Sequence, residues 1–314
     1  MFALLFPGQG SQALGMGRDV YETCEAARAV FDAADSALGF PLSRLCFDGP
    51  EEELVRTEVQ QPAILTTSIA LLRALEQRQP LQPAFYAGHS LGEYSALVAA
   101  GALDFEDAVR LVQARGRFLQ EAVPEKRGAM AAVLGLEPEA VAEACASVAQ
   151  RTGRIVAPAN YNGPAQTVIS GDAVAVEAAC AQALRSGAKR AVPLEVSAPF
   201  HCELMRPAAG KLALELGRVR FHAPAAPIVS SVEARAEASA EAFPELLERQ
   251  VTAPVRFTEM VEYLAAQRVE RVLEVGPGRV LIGLVGRISR ALGRASLATA
   301  DQLEAAAAFV VGER

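Results

Sequence analysis

Ser90 is the side chain best placed to do chemistry. Gly88-His89-Ser90-Leu91-Gly92 fits G-x-S-x-G, between a short apolar stretch (Pro83–Ala87) expected to be a buried strand and an expected helix (Glu93–Ala100). A serine on a sharp strand-to-helix turn presents its hydroxyl at a helix N-terminus, where free N–H groups can hold a developing oxyanion. The flanking glycines suit that turn, because a Cβ on either side of the serine would meet backbone. Ser90-Leu-Gly-Glu93 is also S-x-x-E, a capping box with no catalytic duty, in which Glu93 is only a helix-start residue.

A serine nucleophile needs a base, and the chain has only His89, His201 and His222. His89 adjoins the serine in sequence, so its side chain is expected to point elsewhere. His222 sits in Phe-His-Ala-Pro, a loop without supporting context. His201, in Val-Ser-Ala-Pro-Phe-His, falls where a small subdomain is expected to rejoin a larger one, and clefts between domains favour small-molecule sites. His201 is therefore the favoured base. A second glycine-rich loop, Phe6–Gln12, follows the first expected strand, so its amides should lie at the carboxyl edge of the sheet, where α/β proteins bind ligands. Taken by itself, that loop is better explained as an ordinary Pro-Gly turn.

The elements that must hold these residues follow from pattern. Strand, helices, strand, tight turn and helix succeed one another over the first third, the rhythm of an α/β domain with a parallel sheet. The helical stretches are Asp19–Leu38, Gln61–Leu75 (apolar on most faces) and Asp104–Glu121. From Gly128 to Val196 the order becomes β-α-β-β-α-β, a ferredoxin-like unit. The α/β rhythm then resumes with a strand at Ile228–Ser231, a helix at Phe257–Ala266, a strand at Arg271–Val275 and a helix at Val280–Leu292. The expected domains are 1–127 with 197–314, and 128–196.

Composition bounds the partners. The 314 residues carry 30 basic and 37 acidic side chains, a net charge of −7, which repels nucleic acid and anionic membrane. No apolar run approaches the roughly 18 residues of a membrane span, and the start has no basic segment of a secretory signal. Five cysteines without a C-x-x-C pair suit a reducing, cytoplasmic setting, with neither a disulfide framework nor a zinc site.

Taken together, FPGQGSQ (Phe6–Gln12), GHSLGEYSAL (Gly88–Leu97) and PFHCELM (Pro199–Met205) closely resemble the malonyl-CoA:acyl-carrier-protein transacylases of fatty acid and polyketide synthesis. QARGRF (Gln113–Phe118), NYNGPAQTVISG (Asn160–Gly171) and EVGPGRVLIGL (Glu274–Leu284) extend the likeness over nearly the whole chain.

The resemblance implies an α/β fold: a hydrolase-like parallel-sheet core with an inserted ferredoxin-like subdomain. It implies ping-pong transfer of malonyl through Ser90, with His201 as base and the backbone carbonyl of Gln250 orienting it. The backbone N–H groups of Gln9 and Leu91 would form the oxyanion hole. Arg115 would clamp the malonyl carboxylate, which a guanidinium matches with two parallel bonds. Phe200 would wall the acyl pocket against an α-methyl branch. Leu119 stands where relatives often have Met. Asn160 and Asn162 would face the cleft, or else merely hold a turn. Cys202 is expected to pack.

The implied partners are malonyl-CoA and acyl carrier protein, with no cofactor or metal and a monomeric enzyme. Three readings compete with this one: a free-standing acyltransferase serving a polyketide synthase, a serine hydrolase with Asp104, Asp107 or Asp172 completing a triad, and a non-catalytic carrier-binding protein with a dead site. Lys189 with Arg190, and Arg287 with Arg290, are candidate docking cations for an acidic carrier. Steady-state kinetics of a Lys189→Glu, Arg190→Glu double variant should show a raised apparent KM for carrier protein at unchanged KM for malonyl-CoA. An unchanged carrier KM removes that docking assignment.

Overall fold

The computed structural model describes residues 1–124 and 127–312. Its strands are β1 (Phe2–Phe6), β2 (Phe85–Gly88), β3 (Gly128–Leu134), β4 (Val156–Gly163), β5 (Gln166–Asp172), β6 (Arg190–Pro193), β7 (Ile228–Val229), β8 (Ala236–Glu237), β9 (Arg271–Val275) and β10 (Gly293–Leu297). Six of them form one sheet in the order β10-β9-β1-β2-β7-β8. Every neighbour pair is parallel except β7 with β8. All five residues of β1, Phe-Ala-Leu-Leu-Phe, are buried. That is expected of a parallel strand covered on both faces by helices.

The remaining four strands make a separate antiparallel sheet in the order β4-β5-β3-β6. Helices Pro138–Thr152 and Ala173–Arg185 pack on it around a small core of their own, with Val133, Val148, Ile169 and Val176. In chain order this is β-α-β-β-α-β with the first strand central, the ferredoxin-like arrangement. The α/β architecture read from pattern and resemblance is therefore the one found.

Some elements differ from expectation. The helix expected over Asp19–Leu38 is two helices, Arg18–Thr23 and Glu25–Leu38, because Cys24 adopts extended backbone between them. The helix expected over Val280–Leu292 stops at Ile288, and Gly293–Leu297 continues as an edge strand. Alternation was hidden there by the short, half-buried segment Gly-Arg-Ala-Ser-Leu. Helices Leu42–Asp48, Phe243–Thr252 and Leu303–Val311 went unread. The second of these proves central to the site.

Ser90 sits where β2 ends, and the register sets Phe6 of β1 beside Gly88 of β2. The loop after β1 and the turn after β2 are thereby neighbours at one sheet edge. The turn is pinned by the His89 N–H, which donates to the Phe6 carbonyl at 3.0 Å. It is too tight for side chains on either flank. A Cβ on Gly88 would lie 1.9 Å from the Gly92 carbonyl carbon, and one on Gly92 would lie 2.0 Å from the Phe6 oxygen. Rigid backbone cannot yield as a side chain would, so Gly88→Ala should cost about 3 kcal/mol of unfolding free energy. Urea denaturation measures this, and a loss under 1 kcal/mol (on the order of a surface change) would show that the turn tolerates a Cβ.

Candidate active site

Ser90 occupies the left-handed region, φ 53°, a conformation that costs a non-glycine residue about 1–3 kcal/mol. The close glycine contacts hold it there. His201 is also left-handed, φ 60°. It lies in the turn before the short helix Glu203–Met205, and its ring is buried. The Ser90 hydroxyl and His201 Nε2 are 2.8 Å apart. On the far side of the ring, Nδ1 is 2.8 Å from the backbone carbonyl of Gln250. A carbonyl only accepts, so Nδ1 carries the proton, and Nε2 offers its lone pair to the Ser90 hydroxyl.

Burial, and secondarily the nearby Arg115 cation, push the imidazole's proton affinity down to about 3. The ring is thus neutral at physiological pH. No carboxylate among the described residues bonds to His201. Asp104 begins the helix Phe105–Glu121, Asp107 bonds Arg110, and Asp172 accepts from the Ile155 N–H. The triad with one of these aspartates is not formed.

Arg115 lies on Phe105–Glu121 but is 2 % exposed, so it is no surface charge. Gly116 beside it lets that helix press against Thr57–Glu76: a Cβ there would meet the Thr57 oxygen at 2.4 Å. The guanidinium donates to Gln61 Oε1 at 2.8 Å, to Gln250 Oε1 at 3.0 Å and to Ser90 Oγ at 3.1 Å. It lies 5.4 Å from the Tyr94 ring centroid, within cation–π range. Its Nε has no partner among the described residues. Burial lowers its proton affinity, and Tyr94 and Glu93 oppose that.

Several of these partners were missed. Gln60 and Gln61 are polar breaks in a helix otherwise apolar nearly all round, a signal that could have found them. Gln9 Nε2 donates to Gln60 Oε1 at 2.6 Å, tying the loop after β1 to that helix. The backbone N–H groups of Gln9 and Leu91 bond no acceptor among the described residues. Glu93 is in the first turn of the helix Gly92–Ala99, as expected, but makes no capping box. Its carboxylate is buried and accepts from Ser231 and from Gln250 Nε2. Burial raises its proton affinity against those bonds.

The site opens into a cavity of about 660 Å³ between the two sheets. Gln9, Leu119, Phe200 and His201 line it from the large part, and Met130, Asn160 and Asn162 from the small one. Asn162 lies on β4, not in a turn, and its Oδ1 accepts from His89 Nε2 at 2.8 Å across the cleft. His89 therefore lines the same cavity, with its basicity lowered by burial. Cys202 is buried and donates to the Pro199 carbonyl at 3.1 Å.

Lys189, Arg190, Arg287 and Arg290 are exposed. Register pairs Gln166 with Leu134 and Leu134 with Arg190, and Arg287 donates to Gln166 Oε1 at 2.7 Å. Arg190 and Arg287 therefore lie toward the same end of the small sheet, with β3 between the strands they belong to or bond.

A family model described as "Acyl transferase domain" matches residues 3–306. The malonyl CoA-acyl carrier protein transacylase of Escherichia coli K12 is 50% identical over 305 residues, covering 97% of this chain and 98% of its own. The crystal structure of an acyl carrier protein S-malonyltransferase from Vibrio cholerae is similar at 47% identity and TM-score 0.95, covering 97% of this chain and 99% of its own. A malonyl-transacylase solved in complex with its type II PKS acyl-carrier protein matches at 47% identity and TM-score 0.95, covering 98% and 99%.

Burial of His201 makes fold stability depend on pH. An unfolded chain binds a proton on this ring below about pH 6.5, whereas the folded site stays neutral down to about 3. Fold stability from this group is present above pH 6.5 and lost as pH falls through that window. The base, by contrast, persists there. Inactivation of Ser90 by a fluorophosphonate should keep its rate between about pH 7.5 and 5.5. A rate that halves near 6.5 would contradict the burial account.

Proposed function

The chain belongs to the acyl transferase domain family, and we propose that it moves a malonyl group from malonyl-CoA to the phosphopantetheine thiol of acyl carrier protein by way of Ser90. The observation that carries this is the joint placement of Ser90 Oγ, 2.8 Å from His201 Nε2 and 3.1 Å from an Arg115 nitrogen. A nucleophile, a base and a carboxylate receptor share one wall of the cavity.

In the first half-reaction His201 takes the Ser90 proton as Oγ attacks the thioester carbonyl. The N–H groups of Gln9 and Leu91 receive the oxyanion, each contributing about 2.7–4 kcal/mol to lowering the barrier. The tetrahedral adduct collapses, the C–S bond breaks, and the imidazolium returns its proton to the CoA thiolate. The carrier's thiol then gives its proton to His201 and attacks the malonyl ester, and Ser90 leaves with that proton. Gln250 orients the ring with a neutral oxygen, which stabilises imidazolium less than a carboxylate would. A thioester's good leaving group tolerates that, whereas hydrolysis of a stable ester is less well served.

Arg115 grips the free carboxylate of malonyl through charge-assisted bonds of about 1.5–3 kcal/mol. An acetyl group leaves that buried cation unmatched, so acetyl is rejected by omission. Phe200 and Leu119 shape the acyl end, and Phe200 disfavours an α-methyl branch. Asn160 and Asn162 face the pantetheine side of the cleft. The cations Lys189, Arg190, Arg287 and Arg290 form a docking surface for an acidic carrier. We place the enzyme in the cytoplasm, in fatty acid synthesis, acting as a monomer. Five free thiols support the first and a site built from one chain the last. The likeness to a transacylase solved with a type II PKS carrier favours a second reading, supply of a polyketide synthase by the same chemistry.

Mass spectrometry of the protein incubated with malonyl-CoA should find a malonyl ester on Ser90, absent in Ser90→Ala. Arg115→Ala should lower kcat/KM for malonyl-CoA about tenfold to a hundredfold, the loss of one charged grip, and change acetyl transfer little. No adduct, or free malonate released without carrier protein, overturns the transferase. Equal losses for both acyl groups overturn the clamp.

A further inference from the structure

Gln250 does two separate jobs in the site. Its main-chain carbonyl faces His201 and is held by the helix Phe243–Thr252. Its side-chain amide faces Arg115 with one end and Glu93 with the other. The two ends are not equivalent. Oε1 accepts from Arg115 at 3.0 Å, while Nε2 donates to Glu93 Oε2 at 2.6 Å, to the Ser90 carbonyl at 3.1 Å and to Ser231 Oγ at 3.2 Å. Ser231 in turn donates its own hydroxyl proton to Glu93 Oε2 at 2.5 Å, leaving its lone pairs for Gln250. A flipped amide would set N–H groups against a guanidinium and a carbonyl against the Glu93 carboxylate.

We infer that Glu93 is a positioning residue, whose acceptor oxygen fixes the direction of the Gln250 amide and thereby aims the Arg115 guanidinium at the acyl group. The inference rests on the reading of Arg115 as the malonyl clamp. Glu93 does not touch the cation itself; one neutral amide stands between them. A carboxylate bonded directly to Arg115 would compete with the substrate's own. Set one amide back, Glu93 orders the receptor and leaves it unoccupied by an internal anion. Gln250 and Glu93 are both fully enclosed, at 0% and 2% exposure, so water does not substitute for a lost partner.

The test separates an acceptor from a filler of space. Glu93→Met keeps the volume and removes the acceptor. It should raise KM for malonyl-CoA about tenfold, with kcat changed less, the loss of one bond to a charged group. Labelling of Ser90 by a fluorophosphonate should stay within about twofold, since the carbonyl orienting His201 is held by its helix. Glu93→Gln, which retains a carbonyl oxygen, should recover most of the KM. Ser231→Ala weakens the same network and should give the same signature at about threefold, so the idea remains testable if Glu93→Met does not fold.

Wild-type KM in Glu93→Met or Ser231→Ala overturns the inference. So does Glu93→Gln failing alongside Met, which would assign the effect to charge, or loss of fluorophosphonate labelling in step with KM, which would assign it to collapse of the turn. Arg115→Ala serves as the control. If it leaves malonyl preference intact, the clamp itself is wrong; if it abolishes preference while the Glu93 and Ser231 variants do not, only this inference falls.

Discussion

The site depends on a full positive charge kept in the interior without a carboxylate touching it. Burying an unpaired guanidinium is costly, and the chain offsets that with two glutamine oxygens, a serine hydroxyl and an aromatic face. The same charge depresses the proton affinity of the neighbouring imidazole. Burial of the ring is the larger cause of that depression, and the arginine adds to it.

That placement draws on elements distant in sequence. The helix Phe105–Glu121 brings Arg115 inward because Gly116 allows close approach to Thr57–Glu76. The latter contributes Gln60 and Gln61, and Phe243–Thr252 contributes Gln250. The adjacency of β1 and β2 brings the first loop beside Ser90. The small sheet closes the other side of the cavity with Met130, Asn160 and Asn162. Two sheets of opposite style thus divide the labour, one holding Ser90, His201 and Arg115 and the other closing the cavity opposite them.

Much of this was legible in the sequence. Strong apolar runs bounded by Gly or Pro marked β1 and β2, and the six elements between Gly128 and Pro193 were readable as short apolar strands and Ala-rich helices in the order β-α-β-β-α-β. The glycines around Ser90 declared the tight turn, since no other residue fits there. Elements of weak pattern were lost: the edge strand Gly293–Leu297 carries too little alternation, and Phe243–Thr252 hides behind a proline and charges. Arg115 and Gln250 came from likeness to relatives, because helical position alone gives a surface reading for the first and nothing for the second. Glu93 was read as a cap because local spacing fits that role; only tertiary packing against Ser231 and Gln250 turns it inward.

The atom that orients His201 is a main-chain oxygen. Every amino acid carries one, so substitution scanning at position 250 perturbs the amide's duties while remaining blind to the carbonyl's. Selection on side-chain identity cannot tune that contact either. Its strength is set by where a helix ends, which makes chain length and helix termination, more than residue choice, the quantities evolution must hold constant here. An ester-for-amide exchange in the backbone is the chemical edit that would reach it.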